Sequence, residues 1–572
     1  MPTPIETARL NSLAAKLLVQ SCIENGVDRF FVAPGSRCTP LTLAVAEHPE
    51  AKVVRHFDER GLAFACLGFG RLRKKLAPAN SFARPAAFIC TSGTAVANAY
   101  PALIEAAMDH VPMLLLTADR PPELLGIGAN QAIFQNDIFG QYPCFYQNVD
   151  CPESESDVNS LPGIVTNACV AAEHGPAHLN LQFREPFGAA EPVGPSVGLR
   201  SWFETRKCSE PPHRTAPDGN TIVMVGDCSL ADCQAARSMA QRISAVLLCD
   251  ITAGARPASH DLALMSNPNL AAPENVIHVG GRFVSKRWLQ FLSNNKSQIK
   301  NYWHVWPHED KLDPASCVTD SIIADISEFC DSLCVPATAT QESFRTQWLS
   351  AMSQASEAAT SALLGECDLN EPMISRIIAE NLHGKSGLFL GNSMPIRDMD
   401  LFAVWKAATD IAVMANRGAS GIDGLIAAAI GAAHGQPDSH ERSAPLTLVV
   451  GDLSALHDLN SLAMLADPAM PPMVIVIINN DGGGIFHFLP IAEQTDKFEQ
   501  FFGTPHGLSF SHAAKMFGIA YQSPLTLAEF ETAYRTALDQ STSQIIEVRT
   551  NRSDNITLHR EIERAVRDRV IS

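Results

Sequence analysis

The feature that most constrains this chain is a repeated pattern of short apolar runs, each ending at a turn-forming Gly, Asn, Asp or Ser. In the first third the runs are RFFVAP (29–34), AAFIC (86–90) and MLLLTA (113–118), and residues 94–109 between the last two have helical spacing. Strands that alternate with helices favour a parallel sheet covered on both faces. Ligands of such sheets bind beyond the carboxyl ends of the strands, so the residues that follow each run are the functional candidates.

The pattern recurs twice further along the chain. The second unit contains TIVMVGD, AVLLCD and NVIHVGG, and the third contains GLFLGNS, LTLVVGD, MVIVIINND and QIIEVRT. A segment rich in Pro, Gly and Ser (about 190–220) predicts a linker, and a polar, partly helical segment (335–360) leads to the third unit. The sequence therefore predicts an α/β protein of three domains, 1–195, 196–358 and 359–572, each a mostly parallel sheet flanked by helices.

Composition narrows the classes of function. A formal net charge of -18 argues against a general nucleic-acid binder, since neutralising phosphates requires surplus Lys and Arg. The 15 cysteines form no CxxC pair and indicate reduced thiols, with neither a disulfide framework nor a zinc site. The first residues lack the pattern of a signal peptide, and the most apolar stretch (473–478) is too short for a membrane span. We therefore expect a cytoplasmic protein.

Polar residues follow two neighbouring apolar runs of the third unit. Gly-Asp-Leu-Ser (451–454) follows LTLVV, and Asn-Asn-Asp with three glycines (479–484) follows VIVII. The Asp452 carboxylate, the Asn479 amide oxygen and the main-chain carbonyl of Asp481 are hard oxygen ligands of the kind that Mg²⁺ prefers. The glycines let the backbone approach a phosphate. Each turn alone is ordinary, but the pair at two strand ends favours a metal and phosphate site.

This spacing resembles the metal- and diphosphate-binding motif of thiamine-diphosphate enzymes, and HFDERG (56–61) resembles the segment that carries their activating glutamate. The likeness implies that Glu59 hydrogen-bonds N1′ of the thiamine pyrimidine and promotes loss of the thiazolium C2 proton. Taken alone, the segment also fits a surface charge cluster that caps a helix. In such enzymes the glutamate and the metal ligands come from different subunits. The resemblance therefore implies a homodimer or homotetramer with the active site at the subunit interface.

Further motifs make the resemblance more specific. Together they are similar to the MenD family of thiamine-diphosphate-dependent enzymes, densely in the outer units and thinly in the middle one. The motifs are APGSR (33–37), HFDERG (56–61), TSGTAVAN (91–98), LTADRPPEL (116–124), GANQAI (128–133), GNSMPIRD (391–398), NRGASGIDG (416–424), GDLSALHDLN (451–460) and NNDGGGIF (479–486).

The resemblance implies a transferase of the carboligase type, in menaquinone biosynthesis, with thiamine diphosphate and Mg²⁺ or Mn²⁺ as cofactors. It would decarboxylate 2-oxoglutarate and add the resulting carbanion to isochorismate, giving 2-succinyl-5-enolpyruvyl-6-hydroxy-3-cyclohexene-1-carboxylate. The product carries three carboxylates, for which Arg is the suited partner. The implied catalytic residues are Glu59, Ser36, Arg37, Arg120, Gln131, Lys286, Ser393, Arg397 and Arg417. The implied cofactor-binding residues are Glu59, Ile422, Asp452, Leu453, Ser454, Asn479 and Phe486, with Asp452, Asn479 and Asp481 as metal ligands.

Several of these residues keep a structural alternative. Lys286 also fits a solvated position on an amphipathic helix, and Ile422 and Phe486 fit core packing as well as contact with the cofactor. Leu453 stands where many thiamine enzymes have Gly, in agreement with the MenD form. Asp481 stands where the family often has Asn, with little expected effect, since that position ligates through its main-chain carbonyl.

Two other functions remain open at this point. An acetolactate-synthase-like enzyme or a 2-oxo-acid decarboxylase would use pyruvate and would not need the arginines. A nucleotide-binding or NAD-linked protein would use the VMVGD and HVGG turns, although the chain has no G-x-G-x-x-G motif and no Walker A lysine. An inactive relative is disfavoured because Glu59, Asp452 and Asn479 are all present.

Overall fold

The computed structural model describes residues 2–187, 214–254, 259–382, 386–405, 411–437 and 445–571. Within these ranges the strands form three sheets, and every neighbouring pair of strands is parallel. Most of the linker predicted at 190–220, and the predicted boundary at 195/196, lie outside the described residues. The α/β architecture with three helix-flanked parallel sheets is confirmed.

The first sheet has six strands in the spatial order second, first, third, fourth, sixth, fifth. They are β1 (Arg29–Val32), β2 (Lys52–Arg55), β3 (Ala86–Cys90), β4 (Met113–Asp119), β5 (Phe145–Val149) and β6 (Pro176–Gln182). Its helices are α1 (Pro4–Glu24), α2 (Thr39–Glu47), α3 (Glu59–Lys75), α4 (Thr94–Asn98), α5 (Tyr100–Met108) and α6 (Glu155–Ala171). The helix predicted over 94–109 divides into α4 and α5 because Pro101 lies in the first turn of α5, where proline is tolerated.

The second sheet has five strands, of which the third, β9, lies at the centre. They are β7 (Thr221–Val225), β8 (Val246–Cys249), β9 (Asn275–Val279), β10 (Asn301–Trp306) and β11 (Asp320–Ile323). The helices are α7 (Leu230–Arg242), α8 (His260–Ser266), α9 (Lys286–Asn294), α10 (Ile326–Ser332) and α11 (Glu342–Leu363). Residues 358 and 359, where the second domain boundary was placed, both lie within α11.

The third sheet repeats the strand order of the first. Its strands are β12 (Gly387–Leu390), β13 (Ala412–Ala415), β14 (Leu446–Gly451), β15 (Met473–Asn479), β16 (Ala520–Gln522) and β17 (Gln544–Arg549). The helices are α12 (Glu371–Asn381), α13 (Met394–Phe402), α14 (Leu425–His434), α15 (Asp452–His457), α16 (Ile491–Gln494), α17 (Ser511–Phe517), α18 (Leu527–Leu538) and α19 (Arg552–Ile571). Between β14 and β15 the chain forms α15 and then a 3₁₀ segment, Leu459–Ala466.

Both outer sheets have a switch point, where consecutive connections leave the sheet in opposite directions and a crevice opens. In the first sheet it lies between β1 and β3, and in the third it lies between β12 and β14. The loops after β1 and β3 approach closely, since a Cβ on Gly35 would lie 2.2 Å from Cβ of Thr91. Among the predicted site residues, Ser36 and Arg37 follow β1, Ser393 and Arg397 follow β12, and Asp452 follows β14, all beside these two crevices.

The outer units pack directly on each other through α3 and α14, whose facing surfaces consist of small residues. A Cβ on Gly68 would lie 1.8 Å from the carbonyl oxygen of Ala428, and a Cβ on Gly431 would lie 1.7 Å from that of Ala65. Only glycine permits this backbone approach. One hydrophobic core therefore extends from the first sheet to the third and fixes their relative position.

The cysteines and helices bear on two expectations from composition. The 14 cysteines that the structure describes are all free thiols, and most are buried. Over the same ranges, no helix combines the length and apolar character needed to cross a membrane.

Candidate active site

The predicted metal ligands lie side by side at the carboxyl edge of the third sheet. Gly451 of β14 pairs with Ile478 of β15, so Asp452 and Asn479 follow at the same level. Both side chains are nearly inaccessible, at 2% and 5% exposure. The sequence spacing therefore identified two polar groups that the fold brings together in a buried position.

The carboxylate of Asp452 accepts N–H bonds from Leu453 at 2.6 Å and from Gly482 at 2.9 Å. Nε2 of His506 lies 3.2 Å from its Oδ2. Burial raises the pKa of Asp452, and these hydrogen bonds only partly oppose that rise. A cation at this edge would lower the pKa again, because an opposite charge favours the ionised form.

The amide of Asn479 is oriented by its neighbours. Its Nδ2 donates to Oε1 of Glu547 at 2.7 Å and to the carbonyl of Leu508 at 3.0 Å. The Asp481 carboxylate accepts the N–H groups of His506 and Gly507 at 2.8 and 2.7 Å. Asp481 has a φ of +60°, so its side chain shapes the turn and its carbonyl oxygen is the atom left for a ligand role.

These donors fit a hard divalent cation. One carboxylate, one amide oxygen and one main-chain carbonyl provide a partial oxygen shell, and Mg²⁺ usually keeps its remaining positions for water and substrate phosphate. Across the described ranges, no three His, Cys, Asp or Glu side chains cluster as a metal site of another kind. Thiol- or histidine-rich metal chemistry therefore has no candidate cluster there.

Glu59 occupies the first position of α3. The side chain of Asp58 caps the helix by accepting the N–H groups of Arg60 and Gly61, and the helix N-terminus favours a carboxylate. Glu59 is half-buried and has no hydrogen-bond or ion-pair partner among the described residues. The pKa of Cys38 is raised mainly by burial and also by the charge of Glu59. The Glu59 carboxylate therefore lies near the loop that follows β1.

The two predicted arginines of the first unit already contact acceptors within the chain. Arg37, 1% exposed, donates to the carbonyl of Phe183 at 2.8 Å and to Oε1 of Glu185 at 2.9 Å. Arg120 lies 3.8 Å from the same Glu185 oxygen. These two arginines thus already share a carboxylate, while Ser36 beside them is exposed.

Gln131 links two of the motifs. Its Nε2 donates to the carbonyl of Ser92 at 2.9 Å, and Oγ of Ser92 donates to the carbonyl of Gln131 at 3.2 Å. The segment GANQAI is thereby held against the loop after β3.

Two guanidinium groups meet beside the switch point of the third sheet. Arg397 donates to the carbonyl of Ser393 at 2.6 Å, and Arg417 donates to Oδ1 of Asn392 at 2.9 Å. Burial, and then the charge of Arg417, lower the pKa of Arg397, so the two cations lie close to each other. In the part of the chain that the structure describes, neither guanidinium has a carboxylate within ion-pair distance. The charges of Asp398 and Asp400 also act on Arg397, but adjacent cations without a direct ion pair favour the binding of an anion.

A carboxylate of the first unit fixes the loop that carries Arg417. Glu105 accepts the N–H groups of Gly418 at 2.8 Å and Ala419 at 2.6 Å. Ile422, further along this loop, is 42% exposed, so it is not a core residue of the chain. Phe486 is half-buried and makes an edge contact with Phe502.

A cavity of about 660 Å³ lies between the second and third units. Its size suits a small organic ligand. Lys286, exposed at the start of α9, and Arg397 line it. The basic residues around it that sequence analysis missed are Arg287, His559 and Arg560.

The other missed residues are carboxylates that act on site residues. Glu105 lies in the apolar helix ALIEAAM, and Glu547 lies in the apolar strand QIIEVR. A lone carboxylate in an otherwise buried element requires donors, and that was the available signal. The identity of those donors could not be read from the sequence.

Glu371, at the start of α12, gives a pH dependence to stability. Burial, and then the charge of Asp398, raise its pKa to about 7, well above the ordinary value of about 4.5 for a glutamate. The folded state therefore holds a proton that the unfolded state has lost, and stability falls as pH rises from about 4.5 to 7. Glu371→Gln should be more favourable relative to the native chain at pH 8 than at pH 5 in chemical denaturation. A difference that does not vary with pH would contradict this expectation.

The three-sheet fold, with polar residues after the strands of both outer sheets, is that of the thiamine pyrophosphate enzymes, and three family models match the chain. Residues 13–140 match the model of the "Thiamine pyrophosphate enzyme, N-terminal TPP binding domain", and residues 399–548 match that of the corresponding C-terminal TPP binding domain. Residues 212–390 match the model described as "Middle domain of thiamine pyrophosphate".

Curated relatives give the particular family. The 2-succinyl-5-enolpyruvyl-6-hydroxy-3-cyclohexene-1-carboxylate synthase of Rubrobacter xylanophilus is 42% identical, over 98% of this chain and 99% of that protein. The synthases of the same name from Salinibacter ruber and Chlorobaculum parvum are 39% and 36% identical; the alignments cover 97% of this chain, and 96% and 97% of those proteins. The chain belongs to this family of synthases.

Proposed function

We propose that this protein decarboxylates 2-oxoglutarate with thiamine diphosphate and adds the remaining four-carbon unit to isochorismate. The product would be 2-succinyl-5-enolpyruvyl-6-hydroxy-3-cyclohexene-1-carboxylate, an intermediate of menaquinone biosynthesis. The family membership supports the reaction, and the observation that carries the substrate class is the adjacent pair of Arg397 and Arg417 without a carboxylate partner. Pyruvate, the donor in the alternative acetolactate-synthase-like reaction, has one carboxylate, whereas the two substrates of the proposed reaction bring several carboxylates that need cationic partners.

One group of predicted residues would bind the metal ion and the cofactor. Thiamine diphosphate, when bound, supplies the thiazolium ring that stabilises the negative charge left after loss of CO₂. Asp452, Asn479 and the carbonyl of Asp481 would hold Mg²⁺ or Mn²⁺ for its diphosphate, and Leu453 and Ser454 would border that group. Ile422 and Phe486 would contact its rings.

Proton transfer and substrate binding fall to the other predicted residues. Glu59 would hold the proton at the pyrimidine N1′, for which a half-buried carboxylate without another partner is suited. The carboxylates of the two substrates would be bound by the cationic and neutral donors Ser36, Arg37, Arg120, Gln131, Lys286, Ser393, Arg397 and Arg417. For Arg37 and Arg120 this requires sharing with Glu185.

We also propose a homodimer or homotetramer in which the first unit of one subunit completes the site of another. Large apolar side chains are exposed beside the predicted site residues, namely Phe57 at 60%, Ile127 at 69% and Phe134 at 80%. Large apolar side chains exposed to this degree support coverage by another protein surface. Light scattering that returned a monomer in the presence of cofactor would contradict the shared site. The many free thiols support a location in the reducing cytoplasm.

The test of the function is a reconstituted reaction. Purified protein is mixed with thiamine diphosphate, Mg²⁺, 2-oxoglutarate and isochorismate, and loss of isochorismate absorbance is followed while each component is omitted in turn. Loss that requires all four is the expected result. If pyruvate is consumed and 2-oxoglutarate is not, the decarboxylase or acetolactate-synthase-like reaction is the correct one.

Arg397→Ala is expected to raise the KM of one carboxylate substrate with a smaller effect on kcat. A hydrogen bond to a charged group contributes about 1.5–3 kcal/mol, which corresponds to roughly 10- to 150-fold. Arg535→Ala is the matched control, because this arginine is 67% exposed and pairs with Glu531 on α18. Unchanged steady-state kinetics for both substrates in Arg397→Ala would remove it from the substrate site.

A further inference from the structure

A buried carboxylate lies directly behind one of the proposed metal ligands. Glu547 of β17 has no exposed side-chain surface, and its oxygens are surrounded by donors. Oε1 accepts from Nδ2 of Asn479 at 2.7 Å, and Oε2 accepts from the hydroxyl of Tyr521 at 2.7 Å and the N–H of Phe510 at 2.9 Å. This carboxylate is therefore rigidly held and presents an acceptor to the asparagine amide.

An asparagine amide can present either its oxygen or its nitrogen to a neighbour, and only the oxygen can bind a metal. Both hydrogens of the Asn479 Nδ2 are used, one on Glu547 and one on the carbonyl of Leu508 at 3.0 Å. Its Oδ1 consequently faces the turn that contains Asp481, whose N–H lies 3.2 Å away. Reversing the amide would place an oxygen against two acceptors.

We propose that Glu547 is a positioning residue that locks Asn479 with its oxygen toward the metal and diphosphate. The proposal rests on the proposed function, since it assumes that Asn479 binds a divalent cation. Partners of this kind orient the atoms that bind a metal, and their loss typically lowers metal affinity by about 10- to 100-fold. Glu547 itself contacts neither metal nor substrate in this arrangement.

The next residue provides a matched comparison. Asn480 donates from Nδ2 to Oε1 of Glu371 at 2.9 Å, so it too is bound to a buried carboxylate. Successive residues leaving a strand point to opposite sides, and Asn480 therefore faces away from Asn479. At pH 8, where both carboxylates are ionised, Glu371→Gln removes the same charge from the same type of contact without touching the proposed ligand.

The experiment measures Mg²⁺ affinity by calorimetric titration in the presence of saturating thiamine diphosphate, and the melting temperature of each protein without cofactor. In Glu547→Gln, one oxygen is replaced by an NH₂ group that opposes the donors of either Asn479 or Phe510. We expect Mg²⁺ affinity to fall by about 10- to 100-fold. Glu371→Gln should keep the affinity of the native chain, and Asn479→Ala should lose it.

The outcomes distinguish a failure of the positioning role of Glu547 from a failure of the proposed metal site. If Asn479→Ala loses Mg²⁺ affinity and Glu547→Gln keeps it, the positioning role is overturned while the proposed metal site stands. If Asn479→Ala also keeps it, the metal assignment fails and the positioning role fails with it. If Glu547→Gln does not fold, Glu547→Asp replaces it, because the shorter side chain withdraws the carboxylate from the Asn479 amide and keeps its charge. A smaller loss of affinity in that variant supports the role, and unchanged affinity overturns it.

Discussion

Replacing Glu59 with glutamine is expected to lower kcat by about two to four orders of magnitude, the usual contribution of a positioned acid or base. The amide has the same size and occupies the same first position of α3, so the fold should be retained. It cannot hold and return a proton at the pyrimidine nitrogen. The carboxylate has no partner among the described residues, so no internal ion pair is lost.

A matched control exists at the start of another helix. Glu155 is the first residue of α6, follows a capping serine and binds Arg9 on the surface. Glu155→Gln removes the same favourable charge from a helix N-terminus, worth about 0.3–1 kcal/mol, and should leave kcat unchanged. The direct measurement is the rate at which the cofactor C2 proton exchanges with deuterated water on each variant. Exchange at the native rate in Glu59→Gln would remove the role assigned here.

The parts of the fold that could be predicted are those where an apolar run ends sharply at polar turn residues. Strands β3, β14 and β15 are fully apolar runs that stop at polar turns, and they were located within one or two residues. Edge strands such as β2, with the pattern KVVR, carry charge on their exposed side and gave no comparable signal. The pairing of an edge strand depends on residues that are near in space but distant in sequence, and the periodicity of the strand's own residues gives no information about them.

Strand β6 shows a second limit, since it is fully buried and yet rich in polar residues. His178 lies 2.7 Å from the hydroxyl of Thr117, and Asn180 donates to Asp119 at 2.8 Å. Buried polar groups are stable when they satisfy one another, and these partners lie about sixty residues apart in sequence. An apolar run is therefore a sufficient indication of a buried strand and not a necessary one.

The same distinction applies to the site. Residues that follow strands, such as Asp452 and Arg397, could be proposed because the carboxyl edge of a parallel sheet has a fixed relation to its sequence. Their orienting partners could not, because Glu105 reaches its loop across 313 residues and Glu547 reaches Asn479 across 68. The prediction for Asp452 depends on the burial and hydrogen bonds of its carboxylate, which the sequence alone does not show.

Asp452→Asn is expected to remove Mg²⁺-dependent binding of thiamine diphosphate and to make the stability of the cofactor-free protein less dependent on pH. Burial raises the pKa of this carboxyl group, so its ionised form destabilises the folded state once pH exceeds that pKa. The neutral amide relieves that cost. It also removes the charged ligand, whose loss should exceed the roughly 10- to 100-fold effect of an outer partner.

The two readouts make the test decisive, because replacing a residue that serves only the fold would change the stability of the protein without removing Mg²⁺-dependent cofactor binding. Asp458→Asn is the matched control. Burial raises the pKa of that aspartate to about 6, and it follows the same helix α15 without lying at a strand end. It should leave Mg²⁺ dependence unchanged. Calorimetric titration with Mg²⁺ and denaturation without cofactor give the two readouts, and a destabilised Asp452→Asn that still binds the cofactor would assign this carboxylate to folding alone.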